Sequence, residues 1–179
     1  GPESACFAAK TGAFLKADAM EIAAPAKINL YLDVVGRRAD GYHELQSLMC
    51  CIGVYDTVRL RFAPGISVAC DAPDVPADES NIAFKAAERF FSETGIDVGV
   101  HITIDKTIPV GAGLGGGSSD AAAVLLGLNR HFGNPLTETR LADLALLLGA
   151  DVPFFLYRMP AVATGIGEHL TPFSKLPPM

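Results

Sequence analysis

A glycine-rich segment contains the residue types that point most directly to chemistry. Pro109–Asp120 reads PVGAGLGGGSSD, and its five glycines permit backbone conformations closed to other residues and leave amide N–H groups unshielded. A strand-like segment precedes it, and an alanine- and leucine-rich helix is predicted after it. This order directs several N–H groups and a helix N-terminus at one point, which is typical of a phosphate-binding loop.

Two common nucleotide-binding motifs fit this segment poorly. Gly111, Gly113 and Gly116 satisfy GxGxxG, but the acidic residue expected about twenty residues further on would fall near His131, where none stands. Gly117 occupies the position of the lysine that a Walker A loop requires. A purely structural glycine turn is the other alternative, and the strand–loop–helix context disfavours it. We therefore expect a loop that binds phosphate through backbone amides.

Asp151 is the carboxylate best suited to act as a base. It stands in Gly149–Leu156, GADVPFFL, among apolar residues whose desolvating effect would raise its proton affinity. Such a group can take the proton of an alcohol during phosphoryl transfer. The alternative is a turn or helix cap before Pro153.

Three segments together resemble the GHMP kinases, a family named after the galactokinases, homoserine kinases, mevalonate kinases and phosphomevalonate kinases. PVGAGLGGGSSDAA is similar to the glycine motif of the family. Ala24–Leu45 and Gly149–Leu156 resemble two signatures of a branch that phosphorylates a cytidine diphosphate-linked polyol. The resemblance covers Ile22 through Pro172. It implies transfer of the γ-phosphoryl group of ATP to a 2-hydroxyl, with Mg²⁺, in the non-mevalonate route to isoprenoid precursors.

The resemblance also implies roles for individual residues. Asp151 matches the catalytic base, and Lys27 matches a lysine beside it that orients the acceptor hydroxyl, although a lysine opening an apolar strand commonly just snorkels. Asn29, Tyr42 and His43 match positions that bind the cytidine diphosphate substrate. The residues expected near ATP are Asn81, Lys106, Pro109, Val110, Gly111, Ala112, Gly113, Leu114, Gly115, Gly116, Gly117, Ser118 and Ser119. No residue is assigned as a magnesium ligand.

Two alternative functions remain open from the sequence. One is another small-molecule kinase of the same family, against which the Ala24–Leu45 segment argues. The other is a module that binds nucleotide without turnover. Retention of both Lys27 and Asp151 argues against that second alternative.

Alternating strands and helices must position these residues. Period-two alternation predicts strands, and apolar spacing with capping signals predicts helices. The predicted strands are Lys27–Val35, His43–Ile52, Asp56–Phe62, Ile66–Ala69 and Val98–Asp105. The predicted helices are Asn81–Thr94, one from the glycine loop through His131, and one from Leu136 or Thr137 to Leu148. The fold class expected is α+β, resembling the N-terminal domain of the GHMP kinases, which is a ribosomal protein S5 domain 2-like fold.

Composition limits the partners. The chain has 179 residues, is 50% hydrophobic and carries a formal net charge of −6. Its 14 basic and 20 acidic residues form no basic cluster, which argues against nucleic-acid and membrane partners and favours a small-molecule substrate. The four cysteines lack zinc-ligand spacing and are interpreted as small buried residues in a reducing, cytoplasmic compartment.

Three regions are predicted along the chain. Residues 1–19 are interpreted as a tag or extension, because they lack the features of a signal peptide. Residues 20–160 are predicted to form the ATP-binding domain. Residues 161–179 are interpreted as the start of a truncated C-terminal domain, because Leu176–Met179 provides no closing element.

Overall fold

The computed structural model describes residues 19–37, 43–157, 159–165, 167 and 169–173. Within these residues it is an α+β fold with one sheet of six strands and four helices. The strands are β1 (Ala19–Arg37), β2 (His43–Ala63), β3 (Ile66–Cys70), β4 (Gly99–Asp105), β5 (Ala161–Gly165) and β6 (His169–Pro172). The helices are α1 (Ile82–Thr94), α2 (Gly116–His131), α3 (Glu138–Leu148) and α4 (Val152–Tyr157).

Strand β2 organises the sheet. β1 pairs antiparallel with it along most of its length. Residues 57–63 of β2 also pair with β4, and residues 45–49 pair with β5. β3 lies parallel to β4, and β6 lies antiparallel to β5, so the sheet order is β3-β4-β2-β5-β6 with β1 also paired to β2.

The two strands predicted at His43–Ile52 and Asp56–Phe62 are one strand of 21 residues. The pairing of β1 with β2 shifts between Pro25, opposite Tyr55, and Lys27, opposite Cys51. The stretch around Gly53 is therefore accommodated as a bulge rather than a turn, because extra residues on one strand can bend a ladder without ending it.

The helix predictions agree closely with the structure, except for α4. The Asn81 side chain caps α1, and Gly95 ends it with a φ of 67°. Thr137 caps α3, whose last residue, Leu148, is followed by Gly149. The six-residue helix α4 was not predicted, although a helix cap before Pro153 was one of the alternatives for Asp151. Proline is compatible with the first turn of a helix, where no intrahelical N–H bond is lost.

Helix α2 lies close to the sheet and joins the site to the core. Ala121, Ala122 and Ala123 are fully buried. A Cβ added at Gly127 would lie 2.4 Å from the Ile22 side chain and 2.8 Å from that of Leu60. The small residues of α2 thus permit close contact with β1 and β2, and this contact fixes the position of the helix N-terminus.

The last described strands continue the same sheet. β5 pairs directly with β2, so the predicted boundary between residues 160 and 161 falls between elements that share one sheet. The domain division itself stays a prediction. Cys50 and Cys70 are free thiols. Within the part of the chain that the structure describes, no helix has the length and apolar character needed to cross a membrane.

Candidate active site

The glycine loop ends in a helix N-terminus whose amides are available to an anion. Gly111, Gly113 and Gly115 have φ values of 76°, 73° and 72°, which place all three in the left-handed region. Gly115 precedes α2 without a side-chain cap, and the Ser119 N–H donates to its carbonyl at 2.9 Å. The amides of Gly116, Gly117 and Ser118 therefore precede the first intrahelical bond, as in helix termini that bind phosphate.

A cavity of about 250 Å³ lies along this loop. All residues from Pro109 to Gly117 line it, as do Asn81 and Lys106. Ser118 and Ser119 are not part of its lining. Ser119 is instead fully buried, and its hydroxyl has no hydrogen-bond partner among the described residues. The remaining lining residues are Asp74, Val75, Pro76, Ser80, Ile82 and Asp120.

Lys27 and Asp151 meet beside the loop, although 124 positions separate them along the chain. Lys27 Nζ lies 3.5 Å from Asp151 Oδ2. The Lys27 side chain is 7% exposed and that of Asp151 is 40% exposed. Strand β1 supplies the lysine, and the turn between α3 and α4 supplies the carboxylate. The tertiary structure thus forms the predicted lysine–aspartate pair.

The surroundings of Asp151 differ from the sequence argument. Its apolar neighbours Val152, Phe154 and Phe155 are completely buried, but the carboxylate remains partly exposed to solvent. The turn directs those side chains into the core and leaves the Asp151 carboxylate outside it. The expectation of a desolvated base is therefore wrong, and the ion pair with Lys27 is the main feature of its environment.

The candidate substrate-binding residues are only partly described. Asn29 is exposed, and its Oδ1 accepts a hydrogen bond from Lys27 Nζ at 3.3 Å. Tyr42 lies outside the described residues. His43 begins β2, but its side chain also lies outside the description. Asn29 is thus the one predicted substrate contact whose side chain the structure places beside Lys27.

Asn81 has a clear structural role in addition to lining the cavity. Its side-chain oxygen accepts from the Ala83 N–H at 2.8 Å, and its side-chain nitrogen donates to the Pro76 carbonyl at 2.7 Å. Both ends of the amide are thereby used within the protein. Asn81 holds the start of α1 and the preceding loop against the cavity.

Lys106 is neither a solvated strand-end lysine nor an isolated cation. Its ammonium lies between Asp56 and Asp120, and its side chain is 7% exposed. Burial opposes its charge, but the two carboxylates together outweigh that effect and raise the pKa of Lys106. The pKa of Asp120 is raised to about 7, mainly by burial and against the attraction of Lys106.

Asp56 and Asp120 were missed as members of the site. The sequence placed Asp120 at the end of the glycine-rich segment and Asp56 at the start of a predicted strand, and neither was assigned a role. Asp120 could have been recognised as a site residue from its position directly after the glycine loop. Asp56 gave no signal, because an acidic residue in an alternating strand normally faces solvent.

Comparison with known proteins identifies the class to which this fold and loop belong. Residues 81–159 match the model of the GHMP kinases N terminal domain. A homoserine kinase from Cytophaga hutchinsonii has a similar fold, with a TM-score of 0.63 at 23% identity over 82% of this chain and 48% of its own. Residues 81–159 therefore form a domain similar to the N-terminal domain of the GHMP kinases.

Within this family the chain is most informatively compared with one enzyme. It is 53% identical over 158 residues to the 4-diphosphocytidyl-2-C-methyl-D-erythritol kinase of Syntrophotalea carbinolica, covering 87% of this chain and 56% of that relative. The Geobacter sp. enzyme of the same name is 48% identical over 88% of this chain and 57% of its own. A crystal structure of 4-(cytidine 5'-diphospho)-2C-methyl-D-erythritol kinase has a TM-score of 0.73 at 45% identity, covering 87% and 55% of the two chains. The chain thus spans a little over half the length of these relatives.

Proposed function

We propose that this chain carries the ATP-binding part of a kinase that phosphorylates the 2-hydroxyl of 4-diphosphocytidyl-2-C-methyl-D-erythritol. The observation that carries the proposal is the pairing of Lys27 with Asp151 at 3.5 Å beside a glycine loop with exposed amides. The relatives named for this activity support the choice of acceptor. The product would be the 2-phosphate, an intermediate in isoprenoid precursor synthesis.

The proposed chemistry assigns separate tasks to the loop and to the ion pair. Backbone amides of the loop and the N-terminus of α2 bind the phosphates of ATP and stabilise the charge that develops on the transferred group. Asp151 accepts the proton of the acceptor hydroxyl as its oxygen attacks the γ-phosphorus, and ADP leaves with the electrons of the broken bond. Lys27 holds the Asp151 carboxylate and the acceptor oxygen in place. Asn29 hydrogen bonds to that lysine and limits its orientation.

Magnesium is implied by the family resemblance, but the described residues do not form a site of their own for it. They contain no group of three histidine, cysteine or acidic side chains suited to a metal ion. The orphaned oxygens, Ser119 Oγ and Asp120 Oδ1, are enclosed in the protein, and the Lys106 ammonium lies beside them. Because Mg²⁺ commonly binds through substrate phosphates and few protein ligands, we expect it to arrive with ATP.

The direct test measures ADP release from Mg·ATP on addition of 4-diphosphocytidyl-2-C-methyl-D-erythritol. We expect acceptor-dependent turnover that Asp151→Asn abolishes, since the amide cannot accept the proton. Homoserine and mevalonate serve as alternative acceptors. Turnover with one of these instead would contradict the proposed substrate.

A second candidate function is nucleotide binding without turnover by this chain alone. The reason to test it is that this chain spans about 56% of the length of its relative from Syntrophotalea carbinolica. The assay is therefore run both on this chain and on the complete natural gene product. ADP release confined to the longer protein would support the second function for this chain and the kinase activity for the whole. If neither protein releases ADP, the kinase proposal is contradicted.

A further inference from the structure

Three charged side chains are buried beneath the glycine loop. Asp56 on β2, Lys106 at the end of β4 and Asp120 on α2 have side chains that are 0%, 7% and 3% exposed. The Lys106 ammonium donates to Asp120 Oδ2 at 3.0 Å and also to Asp56 Oδ2. One ammonium thus connects the sheet to the helix that begins at the phosphate loop.

Asp56 is held rigidly by the chain that leads into the loop. Its Oδ1 accepts from the backbone N–H groups of Thr107 at 2.6 Å and Ile108 at 2.8 Å. The carboxylate therefore cannot turn away from Lys106 without leaving two backbone amides unpaired, of which that of Ile108 is buried. Its second oxygen provides a fixed point for the ammonium.

The ammonium lies directly against the helix N-terminus. A Cβ added at Gly116 would lie 2.9 Å from Lys106 Nζ, so the lysine occupies the space that a side chain there would need. Gly116, Lys106 and Asp120 all line the cavity of the loop. The positive charge is thus located at the cavity wall beside the amides proposed to bind phosphate.

We propose that Asp56 and Asp120 are positioning residues that hold the Lys106 ammonium at the cavity wall, ready to bind a phosphate of the nucleotide. The proposal rests on the proposed function, because it assigns the ligand of the same loop. A mobile lysine side chain loses conformational entropy when it binds an anion. Because the two carboxylates already hold the Lys106 side chain in one conformation, this entropic cost is not added on phosphate binding.

The charge balance of the three groups is compatible with anion binding. Two ionised carboxylates and one ammonium would give the cluster a net charge of −1. Burial raises the pKa of Asp120 to about 7, so that this carboxyl carries a proton for part of the time at neutral pH. Asp120 Oδ1 has no hydrogen-bond partner among the described residues and can carry that proton. Protonation makes the cluster neutral and lowers its repulsion of phosphate.

The test is the dissociation constant of Mg·ATP, and separately of ADP, measured by calorimetry without any acceptor. Asp120→Asn lowers the negative charge but also weakens the hold on the Lys106 ammonium. We expect the loss of order to outweigh the lower repulsion, so that binding weakens by roughly 3- to 10-fold, the factor for ordering one long side chain. Asp105→Asn is the matched control. Asp105 adjoins Lys106 in the sequence, but its side chain is 43% exposed and pairs with Arg59 at the surface. Its substitution should leave both constants unchanged.

A double-mutant cycle distinguishes positioning from a general structural effect. In a Lys106→Met background, Asp120→Asn should cause no further loss of affinity, because the group that Asp120 orients is already absent. Additive losses would overturn the proposal. Tighter binding by Asp120→Asn would also overturn it, because simple charge repulsion would then dominate.

A spectroscopic measurement keeps the proposal falsifiable if Lys106→Met does not fold. The buried Lys106 ammonium should give a slowly exchanging ¹H–¹⁵N signal that shifts on addition of ADP and is broadened or lost in Asp120→Asn. If the signal does not shift on addition of ADP, the proposed contact between Lys106 and a phosphate is contradicted. If the unaltered chain binds neither nucleotide, this proposal and the proposed loop function both fail. If it binds them but Asp120→Asn behaves as wild type, only this proposal fails.

Discussion

The backbone N–H of Lys27 donates to the carbonyl of Leu114 at 2.9 Å and so joins strand β1 to the glycine loop. Through this bond, the strand that carries the candidate orienting lysine also holds the loop proposed to bind the phosphates of ATP. The side chain of the same lysine reaches Asp151. Displacement of the loop would therefore disturb the ion pair, and this coupling determines the effect of several substitutions.

Lys27→Met should remove the orienting charge while leaving the loop in place. The backbone N–H that bonds to Leu114 is unaffected by the substitution, so we expect little change in ATP affinity. The acceptor-dependent kcat should fall by roughly 100-fold or more, as when one preorganised charged donor is lost. Steady-state kinetics on the complete natural protein, with ATP and acceptor varied separately, measure both quantities. A rise in KM for ATP with unchanged kcat would contradict the assigned role.

Gly115→Ala should damage both stability and nucleotide binding. Gly115 has a φ of 72°, and an added Cβ would lie 2.8 Å from Phe155 and 3.1 Å from Lys27. The left-handed conformation costs an L-residue about 1–2 kcal/mol, and overpacking against the buried ring adds about 1–3 kcal/mol. Urea denaturation and ATP titration check these effects.

Gly117→Ala is the matched control for the effect of Gly115→Ala on the free energy of unfolding. Gly117 lies inside α2 without a positive φ, and its nearest contact for an added Cβ is Ile82 at 3.7 Å. Its free energy of unfolding should stay within about 1 kcal/mol of wild type, because alanine favours the helix. An equal loss of stability in both variants would show that loop geometry is not the cause.

Asn81→Ala should lower the free energy of unfolding by about 1–2 kcal/mol, because α1 loses its N-cap. The Pro76 carbonyl also loses its donor. Asn81→Asp is the informative companion, since a carboxylate can still accept from the Ala83 N–H but cannot donate to Pro76. Denaturation curves should therefore rank wild type above Asn81→Asp and that variant above Asn81→Ala. Equal stability of all three would contradict the capping role.

The stability of the fold should depend on pH through Asp120. The pKa of this carboxyl is raised from its ordinary value of 3.8 to about 7, mainly by burial, with Lys106 opposing and Asp56 adding to the shift. The folded state therefore binds more protons than the unfolded state between about pH 4 and pH 7. The contribution of this group is fully present below about pH 4 and is lost as the pH rises to about 7.

Asp120→Asn tests this dependence. In the variant, the free energy of unfolding should lack the part of its pH dependence that Asp120 causes, which is at most about 1.4 kcal/mol per pH unit. Urea denaturation of both proteins from pH 4.5 to 8 measures it. The nearby Cys70 thiol does not titrate in this range, because burial raises its pKa from an ordinary value of 9.0. Parallel curves for wild type and variant would contradict the assignment.

Local patterns predicted the elements whose signals lie within a few residues of one another. α1 follows from its apolar spacing, its Asn81 cap and Gly95, all of which act within one or two helical turns. β2 was divided wrongly at Gly53, because the pairing with β1 that continues it lies outside any local window. The exposure of Asp151 was also misjudged, since adjacent residues in a turn can point in opposite directions.

The sequence by itself determined the glycine loop, most of the helices and the resemblance to the GHMP kinases. Each of these depends on short-range backbone preference or on motif order. The tertiary structure alone decided which charges meet. Lys106 lies 50 positions from Asp56 and 14 from Asp120, and Lys27 lies 124 positions from Asp151. The Lys106 contacts arise because β2 pairs with β4 and packs against α2. The Lys27–Asp151 contact arises because β1 lies beside the turn between α3 and α4. Nothing local to any one of these residues specifies its partner.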